Sequence, residues 1–199
     1  MDRTVDVKGK RGFDELLADR RGIYDAPHYR GQCEAISDAI VKALRRGNKV
    51  LWMGNGGSAA EAQHMAAELS GRFLRERPGL YSEALSVNTS TLTAVGNDYG
   101  YDLSFARQIR AFASPGDVAI ALSTSGGSAN VLRAIEAARD ASMLIAVFTG
   151  ANGDGMAALA DIPFVIPSTV TARIQEAYML YSHILCEGVE RELFAPAAD

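Results

Sequence analysis

The chain alternates between short, almost wholly apolar runs and longer stretches in which apolar residues recur every three or four positions. Runs of the first kind, at 49–53, 84–87, 118–122, 144–148 and 162–166, read as strands. Stretches of the second kind read as helices. The first spans 28–46, with Cys33, Ile36, Ile40, Val41 and Leu44 on one face, and Gly47-Asn48 closes it. Others follow at 59–70, 90–96, 103–112 and 130–141, then a short one after the Gly-rich 150–155, and one long helix at 171–194. Pro115-Gly116-Asp117 is a turn into the third strand. Strands that are apolar throughout and separated by helices predict a parallel sheet buried on both faces, an α/β fold in which ligands bind beyond the C-terminal ends of the strands. Residues 1–25 are polar and irregular, with a short helix expected near 13–17, and residues 26–199 form a single domain.

Composition narrows the function. With 199 residues and 48% of them apolar, the chain can bury a substantial core. Its net charge of −4 offers no electrostatic grip on nucleic acid. No apolar run approaches the ~20 residues of a membrane span, and the N-terminus lacks a signal-peptide core. These features predict a cytoplasmic protein with no membrane partner. Cys33 and Cys186 each fall in an apolar helical pattern and are expected to be buried, reduced thiols rather than metal ligands.

Two strand–loop–helix units carry the candidate chemistry. The first strand runs into Gly54-Asn55-Gly56-Gly57-Ser58-Ala59. This formally matches a dinucleotide fingerprint, but the next strand ends near Ser86-Val87-Asn88 without the acidic residue a ribose needs, so a nicotinamide cofactor is not expected. The third strand runs into Ser123-Thr124-Ser125-Gly126-Gly127-Ser128. Four hydroxyls in six residues exceed what capping a helix requires, and they can donate to phosphate oxygens beside the N–H groups of the helix start. No Gly-Lys-Ser/Thr is present, so this is not an NTPase loop. The helix after the first loop holds His64 and Glu68, four apart and therefore one turn from each other. An imidazole and a carboxylate so placed can share a metal ion or a proton. His183 and Gln175 lie on a broad face of the last helix, where polar groups among apolar neighbours need partners. His28, the third histidine, reads as incidental.

The segments 54–73, 95–100, 123–130 and 172–176 resemble, in order, the phosphoheptose (sedoheptulose-7-phosphate) isomerases of the sugar isomerase (SIS) fold, and the similarity runs from about residue 30 to 194. The resemblance implies a three-layer sandwich with a mostly parallel, flavodoxin-like sheet, and a homotetramer with sites at subunit interfaces. It implies one zinc ion per subunit on His64, Glu68, Gln175 and His183. It also implies substrate contacts from Asn55, Gly56, Gly57, Ser58, Glu68, Asn97, Asp98, Ser123, Thr124, Ser125, Ser128 and Gln175, with Glu68 and His183 as the acid/base pair. Some members carry an acid just before the arginine of Arg173-Ile174-Gln175-Glu176; here that residue is Ala172, so such a helper is absent or supplied elsewhere.

The activity implied is isomerisation of sedoheptulose 7-phosphate to D-glycero-D-manno-heptose 7-phosphate, the first step of bacterial heptose synthesis for lipopolysaccharide or capsule. Moving a proton between adjacent carbons through an enediol needs a base at carbon, an acid/base at oxygen and stabilisation of the oxyanion. Two alternatives of another class share the fold: a replication-initiator-associating protein and a sugar-phosphate-sensing module. The presence of both Glu68 and His183 favours the enzyme over the first. The absence of room for a DNA-binding domain in 199 residues weighs against the second.

Overall fold

The computed structural model describes residues 29–194. Their five strands form one fully parallel sheet in the order β2-β1-β3-β4-β5. The strands are β1 (Val50–Gly54), β2 (Ser82–Ala84), β3 (Val118–Ser123), β4 (Leu144–Gly150) and β5 (Ile162–Ile166). The helices are α1 (Tyr29–Arg45), α2 (Gly57–Ser70), α3 (Thr89–Tyr99), α4 (Ser104–Phe112), α5 (Ala129–Asp140), the single turn α6 (Asp154–Ala157) and α7 (Thr171–Phe194). Alternation along each strand divides the core in two. Val50, Trp52, Ile120, Leu122 and Phe148 pack under α1, α2 and α7. Leu51, Met53, Ala119, Ala121 and Val147 pack under α4 and α5. The expected three-layer sandwich is therefore the fold of the described residues. The expected helix at 13–17, the polar segment 1–25 and His28 lie outside them.

Several boundaries differ from the sequence reading: α3 runs on to Tyr99 and β4 to Gly150, and two further differences bear on the core and the site. β2 occupies Ser82–Ala84 rather than 84–87. Its buried Ser82 breaks the apolar pattern, yet it is satisfied inside the sheet because the Trp52 indole N–H donates to its Oγ at 2.8 Å. A turn then begins, with Val87 N–H donating to the Ala84 carbonyl at 3.3 Å. α2 starts two residues early, at Gly57, with Gly56 as its N-cap and Gly54 closing β1. Both outer strands suit an edge: β2 is three residues long, and β5 places Pro163 opposite Val147. Cys33 and Cys186 are buried and free.

A buried ion pair anchors the far end of the sheet. Lys49 Nζ lies 2.7 Å from Asp117, whose side chain is fully buried. The same carboxylate accepts from the backbone N–H groups of Ser114 (2.7 Å) and Lys49 (3.0 Å) and from the Asn48 amide (3.0 Å). Burial alone would raise its pKa, but these donors bring it below the usual aspartate value. The entrances to β1 and β3 are thereby tied together, and their exits, where the two loops begin, are brought to one level.

Candidate active site

The order of the sheet makes β1 and β3 neighbours although β2 comes between them in the chain, and a ligand crevice opens where such a reversal occurs. Gly54 pairs with Leu122, so the loops after β1 and β3 leave side by side. Gly56, at φ 56°, turns the first loop into α2, whose opening N–H groups receive no side-chain cap. The second loop is held from beneath. The Ser123 carbonyl accepts from Thr149 Oγ1 (2.8 Å) and Gly126 N–H (3.1 Å), and the Thr124 carbonyl accepts from Gly150 N–H (3.2 Å). Gly126 sits at φ 67°, and a Cβ there would lie 2.5 Å from the Gly153 Cα, so only glycine fits.

Two hydroxyls of this loop face each other, and none of them caps the helix through a side-chain bond. Ser123 Oγ and Ser128 Oγ are 3.0 Å apart, and Ser125 Oγ accepts from Gly127 N–H at 3.2 Å. Ser128 immediately precedes α5 but makes no side-chain capping bond. The two loops are stapled by a reciprocal amide pair. Asn55 Nδ2 donates to Asn130 Oδ1 (2.8 Å), and Asn130 Nδ2 donates to Asn55 Oδ1 (2.9 Å), which also accepts from the Tyr101 hydroxyl (3.0 Å). Buried Asn130 thus fixes the position of Asn55 at the crevice mouth.

The second half of the site lies between α2 and α7. His64 Nε2 and Glu68 Oε1 are 3.0 Å apart, as the one-turn spacing requires. α7 brings the His183 ring edge-on to His64, with centroids 5.0 Å apart, and Phe73 stacks on its face at 5.5 Å. The ligating atoms of His64, Glu68 and His183 all lie within 4.8 Å of one another. His64 and His183 line a cleft of about 940 Å³ together with Gly57, Glu61 and Gln175, and Glu68 is tied to it through its contact with His64. Gln175 is seated against the start of α2, because a Cβ on Gly57 would lie 2.5 Å from its Nε2. Gly57 therefore belongs both to the start of α2 at the first loop and to the cleft wall, which makes the loop crevice and the cleft continuous. A separate groove of about 580 Å³, lined by Cys33, Glu34 and Ser37 among others, does not include this cluster.

A model of the SIS domain family matches residues 28–150. The chain is 54% identical over 184 residues to the phosphoheptose isomerase of Rhodospirillum rubrum, covering 90% of this chain and 98% of that one. The chain belongs to the phosphoheptose isomerases. The phosphoheptose isomerase of Aquifex aeolicus is 51% identical over 162 residues, covering 81% and 85% of the two chains. Among solved structures, the phosphoheptose isomerase of Neisseria gonorrhoeae superposes with a TM-score of 0.79 at 38% identity, over 89% of this chain and 94% of that one. The Francisella tularensis phosphoheptose isomerase reaches 0.83 at 35%, over 90% and 94%. The Vibrio vulnificus NanR protein, 16% identical with a TM-score of 0.63, shares the fold alone.

Of the residues singled out in this phosphoheptose isomerase chain, His64, Gln175 and His183 line the cleft, and Glu68 joins the two histidines in one cluster. Asn55, Gly56, Gly57, Ser123, Thr124, Ser125 and Ser128 occupy the two adjacent loops. Ser58 is buried in the first turn of α2, its N–H donating to the Asn55 carbonyl at 3.0 Å, so its place is structural support beneath that loop. Asn97 and Asp98 stand exposed on the last turn of α3, outside the cleft lining, with Asn97 Nδ2 donating to Asp98 Oδ1 at 2.8 Å. Ala172 lines the cleft, in company with the carboxyl-bearing Glu61 and Glu176. The donor set suits a metal ion that accepts both nitrogen and oxygen. A tetrahedral ion with bonds of about 2.0–2.2 Å separates its ligand atoms by roughly 3.3–3.6 Å, and the His64–Glu68 distance of 3.0 Å is already on that scale.

Sequence reasoning missed Asn130, Tyr101 and Glu61. The first two act on Asn55 across long sequence separations. Glu61 lies one turn before His64 on α2, and the signal available was its i, i+3, i+7 phase with His64 and Glu68. It is 5% exposed, and its Oε1 has no hydrogen-bond partner. Burial pushes its pKa up to about 7, against the downward pull of His64 and of the Ser182 hydroxyl, which lies close without a well-aligned hydrogen bond.

Proposed function

We propose that this chain isomerises sedoheptulose 7-phosphate to D-glycero-D-manno-heptose 7-phosphate, supplying heptose for lipopolysaccharide or capsule. The observation that carries this reading is the meeting of His64 and Glu68 from α2 with His183 from α7, inside 4.8 Å, beside a hydroxyl-rich loop at the sheet's reversal point. Relatives at 50–54% identity that are named phosphoheptose isomerases support the substrate.

In this reading the phosphate sits on the hydroxyls of Ser123, Thr124, Ser125 and Ser128 and the N–H groups that open α5, with Asn55, Gly56 and Gly57 closing over it. Asn97 and Asp98 contact the sugar chain. The reacting carbons extend past Gly57 into the cleft. Glu68 removes the proton from carbon, and His183 moves the proton at the oxygens on the opposite side. A carboxylate has two oxygens, so Glu68 can act as a ligand through one and as a base through the other. Gln175 and His64 hold the remainder of the polar wall. His64, Glu68, Gln175 and His183 would hold one zinc ion per subunit, which when bound supplies Lewis-acid polarisation of the carbonyl. The exposed apolar residues Met179, Leu180 and Ile184 on α7 support assembly as a homotetramer with sites at subunit interfaces. The free, buried cysteines accord with a cytoplasmic location. A non-enzymatic role in the same fold is not favoured, because it gives the converging acid/base groups nothing to do.

The test is turnover of sedoheptulose 7-phosphate by the purified chain, before and after chelation, alongside Glu68→Gln and His183→Gln with metal content measured on the same samples. Chelation should remove most activity and zinc should restore it. Each substitution should lower kcat by ~10²–10⁴-fold while sugar phosphate still binds. A parent protein that binds the substrate and never isomerises it refutes the enzymatic reading. Full turnover by metal-free protein refutes the zinc.

A further inference from the structure

The strap that leaves α2 after Ser70 crosses to α7 and is held there by a wholly buried ion pair. Arg77 and Glu190 have side chains 0% and 1% exposed, with Nε 2.8 Å from Oε1. Glu190 also accepts the backbone N–H groups of Phe73 (2.9 Å), Leu74 (2.8 Å) and Arg75 (3.1 Å). Arg77 in turn donates to the carbonyls of Glu68 (2.8 Å), Leu69 (2.8 Å), Gly71 (3.1 Å) and Pro78 (3.1 Å). Two of these are last-turn carbonyls of α2 that lack helical N–H partners, and a guanidinium there also suits the negative end of the helix.

The placement of this network relates it to the site. Arg77 grips the peptide of Glu68 itself. Glu190 lies seven residues, two turns, beyond His183 on α7, and fixes the backbone of Phe73, the residue whose ring stacks on His183. A pair serving stability alone could equally be apolar, since well-packed hydrophobic residues commonly match a buried ion pair. Only a forked cation and a carboxylate, each with several partners, can hold one helix end, one strap and a second helix in a fixed relation.

We propose that Arg77 and Glu190 are positioning residues that set the α2 pair His64–Glu68 against His183, with Phe73 as their contact on the His183 ring. This rests on the proposed assignment of those three residues as the metal-binding and proton-transfer centre. The test uses full-length protein with 13C-labelled histidine. There are only three histidines in the chain, so His64→Gln and His183→Gln assign the resonances. Spectra of apo protein are compared for the parent, Phe73→Leu, Glu190→Gln and Arg77→Lys, with folding checked by circular dichroism. Zinc affinity is then measured on the same samples by competition with a chromophoric chelator.

Phe73→Leu should release His183 from the ring-current shift of the stacked phenyl. Glu190→Gln should move the same resonance the same way, and zinc binding should weaken about 10–100-fold, the usual effect of losing an outer support of a metal site. If Glu190→Gln does not fold, Arg77→Lys decides, because it keeps the charge but cannot span the four carbonyls. A His183 resonance unmoved in the folded variant overturns the proposal, as does a moved resonance with unchanged zinc affinity. Failure of the parent to bind zinc would refute the metal assignment separately, and the apo spectra would still decide whether the pair positions His183.

Discussion

Glu61→Gln isolates the energetic cost of a buried cleft carboxyl whose Oε1 has no hydrogen-bond partner. In the folded protein burial raises its pKa from the ordinary 4.5 to about 7. Between those values the native state keeps a proton that the unfolded chain releases, so stability falls as pH rises across that interval. Below about 4.5 both states hold the proton and no penalty exists. Above about 7 both have lost it and the full cost of a buried carboxylate is present. At roughly 1.4 kcal/mol per pH unit the penalty is about 3 kcal/mol. The amide keeps the size and cannot ionise. The variant should therefore gain about 3 kcal/mol on the parent between pH 5 and pH 8, or about 6–12 °C in Tm for a chain of this size. Thermal unfolding in excess chelator at the two pH values measures it. The groups that act on Glu61 are His64 on α2 and Ser182 on α7, and Glu61 in turn helps to raise the pKa of the Cys186 thiol on α7. Repeating the comparison in a His64→Gln background removes the imidazole's share. Asp117 and Glu190 have lowered pKa values and cancel in the difference. A gap in Tm that stays flat from pH 5 to pH 8 refutes the reasoning.

Two further outcomes follow from the ends of the sheet. Ser125→Ala and Ser128→Ala should each raise KM by the equivalent of ~1–3 kcal/mol with little effect on kcat; if both leave KM unchanged, the phosphate lies on the Asn55–Ser58 side. Asp117→Ala, at the opposite end, should cost ~3–5 kcal/mol in a denaturant titration, because it strands Lys49 in a buried site, while the folded fraction keeps its specific activity. The lowered Asp117 pKa places its contribution fully above the ordinary aspartate value, to be lost as pH falls through the native value. An acid transition unchanged in the variant contradicts that assignment.

The fold was legible because its evidence is local. Strand runs such as Val118–Ser123 are apolar on both faces, and the one clear error, β2, came where a Trp52–Ser82 bond let a polar residue occupy a buried position. The site was legible in halves. His64 and Glu68 had to be neighbours because a helix repeats every 3.6 residues, and the hydroxyls had to cluster because six consecutive residues hold them. Convergence with His183 was not determined by spacing; it depends on how α2 and α7 cross. The same limit hid Asn130, 75 residues from its partner Asn55, and Arg77, 113 residues from Glu190. Each of these is a polar residue buried by tertiary contact, and a buried polar group needs a partner whose position only the fold supplies.

That difference has a functional logic. In the proposed reading, the phosphate half is built from backbone turns and short hydroxyl side chains, whose geometry is written into six residues, one of them a glycine at positive φ. The proton-transfer half must hold an imidazole and a carboxylate from different helices within bonding distance of the same atoms, and errors of about 1 Å there are costly. Local sequence cannot impose such a tolerance between two helices that meet only through packing. Buried polar pairs reaching from a helix to a neighbouring loop or strap can, because their hydrogen bonds are directional where apolar contacts slide. Asn130 of α5 holds Asn55 in the loop after β1 in this way, and Glu190 of α7 holds Arg77 in the strap that follows α2.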